Sequence, residues 1–96
     1  MSRLVRVLID RGELEEAERL ARESLRIQKE AMGERGWRTG VSHGLVGLVL
    51  AESGQTALAR TELELAHEIL LETLGADHAR TLEVESWLGD HPGWNG

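Results

Sequence analysis

The chain has 96 residues, 41% of them apolar and 29% charged, with a formal net charge of −6. That is one small domain, near the lower limit at which a chain buries enough surface to hold a core. The absence of cysteine excludes disulfides, a thiolate nucleophile and Cys-based zinc sites, and the acidic balance argues against a nucleic-acid partner, whose affinity comes mostly from a basic face. The charge is unevenly placed: residues 1–39 hold nine Arg and Lys against eight acids, whereas residues 40–96 hold two Arg against nine acids. The C-terminal half would therefore suit a basic or mixed-charge partner. With no Phe or Tyr, one Pro, and many Leu, Ala, Glu and Arg, the composition favours helices over strands. Arg3, Arg6 and Arg11 interrupt the N-terminal apolar steps, so no signal peptide is expected there. The longest apolar stretch, residues 44–51, is far shorter than the ~20 residues a bilayer span needs. No membrane association and a cytoplasmic location are the expectation.

In chain order, an apolar segment from Leu4 to Ile9 stops at Asp10-Arg-Gly12, where Gly would end a helix in a left-handed turn. A second helix is predicted from about Glu13 to Met32, with Leu14, Ala17, Leu20, Ala21, Leu25 and Ile27 at helical spacing. Glu15–Arg19 and Glu18–Arg22 would pair at i,i+4 on its solvated face, and Gly33 would close it. A third helix, about Thr39 to Ser53, carries Val41, Leu45, Val46, Leu48, Val49 and Leu50 and is closed by Gly54. The fourth, about Thr56 to Leu74, is closed by Gly75. The fifth runs from about Ala79 to Leu88 and is stopped by Gly89, Pro92 and Gly93.

Shifted by 42 residues, the chain falls on itself. Val7 meets Val49, Leu8 meets Leu50, Gly12 meets Gly54, Ala17 meets Ala59, Gly33 meets Gly75, Arg38-Thr39 meets Arg80-Thr81 and Gly47 meets Gly89. Two helical hairpins and the start of a third follow. Gly47, Leu50, Ala59, Leu63 and Ala66 in the second unit, and Val5, Leu8, Ala17, Ala21 and Ser24 in the first, stand where helices of a hairpin cross closely. In this the chain resembles the tetratricopeptide repeat family. The Leu-Gly-Ala-Asp-His-Ala-Arg-Thr-Leu run at Leu74–Leu82 is similar to the corner of its kinesin light chain branch. Ala79 stands where that corner has Pro, and Gly36-Trp37 replaces the His-Pro pair. Glu62 and His67 replace Leu, which would weaken the packing face, and Gly44 would cost its helix about 1 kcal/mol relative to Ala. The resemblance implies an all-α fold, an α-α superhelix (solenoid) of antiparallel helical hairpins. The expected organisation is a repeat domain over 1–89, with repeats at about 1–36 and 37–77 and a final helix at 78–89, followed by a tail at 90–96.

Glu64 and His67 make Glu-x-x-His on one helix, but a di-iron bundle needs a second such pair and further carboxylates, which the sequence lacks. His67 then reads as a surface residue and His78 as a helix cap. His43 and His91 have no spaced metal partner. Gly40-Val41-Ser42-His43-Gly44 spells Gly-x-Ser-x-Gly but falls inside the predicted third helix, so no serine is expected in a strained nucleophile turn, and Lys29, the one lysine, lies mid-helix rather than in a phosphate loop. No metal, no cofactor and no enzyme activity are predicted. Trp37, Trp87 and Trp94 are the only aromatics: Trp87 reads as core or stacking surface, Trp37 as cover for a hairpin crossing, Trp94 as part of the tail.

The resemblance further implies a scaffold for protein–protein interaction, in which the first helix of each hairpin lines a concave groove for a peptide or protein partner. In that register the groove would draw on Arg3, Arg6, Asp10, Leu45, Leu48, Glu52 and Trp87, the arginines holding acidic groups and the leucines giving apolar contact. The alternative expectation is a structural piece: a fragment of a longer repeat array, a subunit that forms a homo-oligomer through its open repeat ends, or a domain regulating an attached enzyme.

Overall fold

The computed structural model describes residues 2–90. The segment expected as a tail, with His91, Pro92, Gly93 and Trp94, lies outside the described residues from residue 91 onward. Five helices follow one another: α1 (Ser2–Asp10), α2 (Leu14–Met32), α3 (Trp37–Glu52), α4 (Thr56–Thr73) and α5 (Ala79–Asp90). Gly89 does not stop the last helix as expected; α5 continues through it to Asp90, and a Cβ added at Gly89 would meet none of the described residues within 4 Å.

The glycines set the punctuation. Gly12, Gly33, Gly54 and Gly75 all have positive φ, between 77° and 93°, a region where a side chain would be strained. The 42-residue period also reproduces hydrogen bonds. Glu13 N–H donates to the Leu8 carbonyl at 2.8 Å and Gln55 N–H to the Leu50 carbonyl at 2.9 Å, the six-to-one bond that closes a helix on a left-handed glycine. Arg38-Thr39 and Arg80-Thr81 recur for a related reason. Both threonines are fully buried; Thr39 Oγ1 donates to the Gly33 carbonyl at 2.7 Å and Thr81 Oγ1 to the Leu70 carbonyl at 3.3 Å. Each fastens the start of one hairpin to the end of the previous one. His78 accepts from Arg80 N–H through Nδ1 at 3.1 Å, capping α5 as expected.

α3 is the central element. Eleven of its residues are buried, because α2, α4 and parts of α1 and α5 all pack on it. Its glycines let α4 approach: a Cβ on Gly47 would lie 2.7 Å from Leu63 Cγ and one on Gly40 2.9 Å from Ile69 Cγ2. As the α3 number falls, the α4 number rises, so the two helices run antiparallel. One core gathers Val5, Ala17, Ala21, Leu25, Val46, Val49 and Leu50; a second joins Leu63, Ala66, Leu70 and Val84, with Trp37 and Trp87 packed against it. Trp37 is thus the first residue of α3 and part of a core edge, not a loop residue.

Three local expectations are corrected. Arg19 pairs with Glu16 at i,i+3 rather than with Glu15, while Arg22–Glu18 forms at 2.9 Å as read. Glu62 and His67 are not gaps in the packing face. The buried His43 places Nδ1 2.6 Å from Glu62 Oε2, and His67 Nε2 lies 3.2 Å from Glu85 Oε2, so each polar side chain has a partner on the facing helix. Gly44 sits under α5, where a Cβ would touch Val84 at 3.3 Å and Trp87 at 3.4 Å, so its lack of a side chain serves helix packing as well as costing propensity.

Candidate binding groove

A cavity of about 390 Å³ opens between α1, α3 and α5. α1 contributes Arg3, Arg6, Val7 and Asp10, one stripe at i, i+3, i+4 and i+7 that a helix presents along a single side. Val41 and Leu45 of α3 form an apolar floor, and Glu83, Val84 and Trp87 of α5 form the opposite wall, with Arg80 at its end. Of the residues the sequence assigned to a groove, Arg3, Arg6, Asp10, Leu45 and Trp87 therefore meet at one cavity. Leu48 and Glu52 do not line it. They sit on later turns of α3 than Val41 and Leu45.

Three guanidiniums face two carboxylates here. Arg6 Nη1 is 3.1 Å from Glu83 Oε2, and its guanidinium carbon lies 5.9 Å from the centre of the Trp87 ring, so Arg6 is already engaged across the groove by the chain's own acid. The pair was not legible from sequence, its members being 77 residues apart. Arg3 and Arg80 form no ion pair among the described residues. A second cavity, of about 330 Å³, adjoins the first and shares Val41, Leu45 and Arg80 with it. Ser24, Ile27, Gln28, Trp37, Arg38 and Ser42 complete its lining, with no carboxylate among them. Ser24 Oγ and Ser42 Oγ, both buried, are 3.0 Å apart, and Arg38 lies 5.1 Å over the Trp37 ring.

Outside the groove, the hydrogen bond from His43 holds the Glu62 carboxyl below its ordinary value, against the opposing effect of partial burial; the nearby charges of His43, Arg22 and Lys29 act in the same direction as the bond. This pair sits between α3 and α4 and reads as packing, not chemistry. Among the described residues no three His, Asp or Glu side chains gather as a metal site would need, and no helix is long and apolar enough to cross a membrane.

Residues 1–36, the α1–α2 hairpin and the turn after it, match the family model of the tetratricopeptide repeat. The chain carries a tetratricopeptide repeat. Its second hairpin follows the first at 42 residues with the same glycines and the same turn hydrogen bonds. No curated protein and no solved structure matches the chain. Tetratricopeptide repeats are in general protein–protein interaction modules and typically non-catalytic scaffolds.

Proposed function

We propose that this tetratricopeptide chain binds an acidic, partly apolar segment of a partner protein in the groove between α1, α3 and α5. One observation carries the reading: in a chain of net charge −6, three arginines from two different helices converge on an apolar floor at a single cavity. Arg3 and Arg80 are left to meet partner carboxylates, which a guanidinium holds in a forked geometry. Val41, Leu45 and Trp87 would take an apolar side chain beside them, the kind of anchored contact that dominates interface energies.

The test is fluorescence anisotropy with two labelled peptides, one alternating Leu with Glu and one alternating Leu with Lys. Tighter binding of the Glu peptide, weakened about tenfold by Arg3→Glu with Arg80→Glu, is the expected result, each lost charge contact being worth on the order of 1 kcal/mol. Equal binding of both peptides, or no effect of the double substitution, refutes it.

The structural alternative also has an observation behind it. Leu4 and Val7 on α1, and Leu71 and Leu82 at the other end of the chain, are large apolar residues about half exposed. Self-association through these ends would appear as a solution mass above 10.7 kDa that Leu82→Glu returns to the monomer value.

A further inference from the structure

The first helices of the hairpins carry charges at the ends where a helix disfavours them. A helix dipole is positive at the N-terminus and negative at the C-terminus, so carboxylates suit the first turn and cations the last. Here Arg38 and Arg80 are the second residues of α3 and α5, and Asp10 and Glu52 are the last residues of α1 and α3. α3 and α5 have no acid in the first turn, and α1 and α3 no base in the last. Arg38 falls on Arg80 and Asp10 on Glu52 at the 42-residue shift, so the placement recurs with the repeat. Asp10 is also uncompensated within the chain. It is exposed and forms no ion pair among the described residues. The two cations nearest to it in sequence are engaged elsewhere, Arg6 with Glu83 at 3.1 Å and Arg11 with Glu13 at 3.6 Å. Yet Asp10 lines the groove.

In an array of antiparallel hairpins α1 and α5 run the same way. Arg6 meets Glu83 across the groove. Arg3 stands one turn before Arg6, Arg80 one turn before Glu83, and Asp10 one turn beyond Arg6. The groove is therefore cationic on one side of the Arg6–Glu83 pair and anionic on the other. We infer, resting on the groove reading above, that it selects charge order and not acidity alone. Its occupant is an extended segment of a partner protein with a carboxylate at Arg3 and Arg80, an apolar residue on the floor of Val41 and Leu45, and a cation at Asp10. The spacing follows from the helix. Asp10 is seven residues beyond Arg3, about 10 Å at a rise of about 1.5 Å per residue, and an extended chain covers about 10 Å in about three residues. The occupant's acid and base are thus three positions apart. A second acid in place of the base would meet Asp10 and the negative end of α1, like charge on like charge.

The experiment is fluorescence anisotropy of the full chain with three labelled peptides blocked at both ends: Glu-Leu-Leu-Lys, the reversed Lys-Leu-Leu-Glu, and Glu-Leu-Leu-Glu. The better of the two mixed peptides should bind about threefold more tightly than Glu-Leu-Leu-Glu, the worth of one exposed charge contact. Asp10→Asn should abolish that preference and Asp10→Lys should reverse it. Asp10→Asn takes a carboxylate away from the negative end of α1, so its melting temperature should equal or exceed that of the unaltered chain, which separates lost preference from lost folding. Glu52→Gln, at the same register one repeat on but outside the groove lining, should leave the preference as it was. Glu-Leu-Leu-Glu binding as tightly as both mixed peptides, or a preference that survives Asp10→Lys, overturns the charge order. So does an equal loss on Glu52→Gln, which would trace the preference to the acidic half of the chain as a whole. Where the charge order fails but Arg3→Glu with Arg80→Glu weakens all three peptides, the groove reading stands without it. Where that double substitution weakens none, both fall together.

Discussion

Substituting alanine for the glycines of α3 and α5 should give a graded stability series, because the same gain meets a different obstruction at each site. Within a helix, Gly→Ala contributes about 1 kcal/mol through the lost backbone freedom of the unfolded chain. At Gly47 the new Cβ would fall 2.7 Å from Leu63 Cγ, the branch carbon of a buried side chain, and 3.2 Å from the Ala59 carbonyl oxygen. Neither a branch carbon nor a backbone oxygen can swing aside, so strain near the upper end of the 1–3 kcal/mol range applies. Gly47→Ala should be destabilising by about 2 kcal/mol net. At Gly40 the first clash, 2.9 Å, is with a methyl of Ile69, and the net loss should be under about 1 kcal/mol. At Gly44 the contacts of 3.3 Å and 3.4 Å need only small shifts, so the net effect should be near zero. At Gly89 nothing lies within 4 Å, and Ala should stabilise by up to about 1 kcal/mol.

Urea unfolding followed by far-UV circular dichroism measures all four, and thermal melts give a check at roughly 4–8 °C per kcal/mol for a domain of this size. The order Gly89, Gly44, Gly40, Gly47 from most to least stable is the expected result. A Gly47→Ala chain as stable as Gly44→Ala would show that α4 does not press on α3 at this crossing. The central packing argument would then fail.

Removing Glu62 leaves the buried His43 without its partner, so Glu62→Ala should cost about 1–3 kcal/mol. Because the folded-state pKa of Glu62 is lowered, its contribution is fully present above the ordinary carboxylate pKa and is lost as pH falls through the depressed one; Glu62→Gln should flatten that acid limb in denaturation measured against pH. Ser24→Ala leaves the Ser42 hydroxyl buried without its partner and should cost about 1 kcal/mol, whereas replacing both serines by Ala should cost less than the two single changes added, a coupling that a double-mutant cycle reads directly. Glu83→Gln should hardly move the melting temperature, since both members of the Arg6–Glu83 pair are over one-third exposed, yet it should tighten Leu-Glu peptide binding several-fold by freeing Arg6.

The fold was readable because its signals are periodic. Glycine at 12, 33, 54 and 75 fixed the ends of four helices, and the apolar spacing between them fixed the faces. Boundaries moved by no more than about two residues; α3 starts at Trp37 rather than Thr39 because Gly36 adopts an extended conformation, with φ −69° and ψ 150°, immediately before the helix. The side-chain pairs were less readable. His43 and Glu62 lie on two different helices, 19 residues apart, and local spacing carries no trace of such a contact. The signal available was a coincidence: two polar residues occupy facing core positions in the same hairpin, and buried polar groups are usually paired. For the groove, the stripe of Arg3, Arg6 and Asp10 was visible, but its engagement by Glu83 needed α5 in place. The same register also put Leu48 and Glu52 in a groove; they lie on later turns of α3 than Val41 and Leu45 and are not among the lining of this cavity.

The contrast between whole-chain and groove charge also sets how the groove must respond to salt. An acidic peptide approaching from a distance meets a molecule of net charge −6, most of it in the C-terminal half, and is repelled; within the groove it meets Arg3 and Arg80 and is held. The principal extents of 30 × 29 × 20 Å decide which effect is screened first. At about 0.01 M salt the screening length of about 30 Å spans the molecule and the repulsion acts in full; at about 0.15 M it is about 8 Å, well under the molecule's smallest extent of 20 Å. At about 1 M it is about 3 Å, and the direct arginine contacts weaken too. Affinity for the Leu-Glu peptide should therefore rise and then fall with added salt, peaking at intermediate ionic strength. A monotonic fall from the lowest salt upward would mean that the arginines dominate at every distance, and that the acidic half of the chain has no influence on what the groove admits.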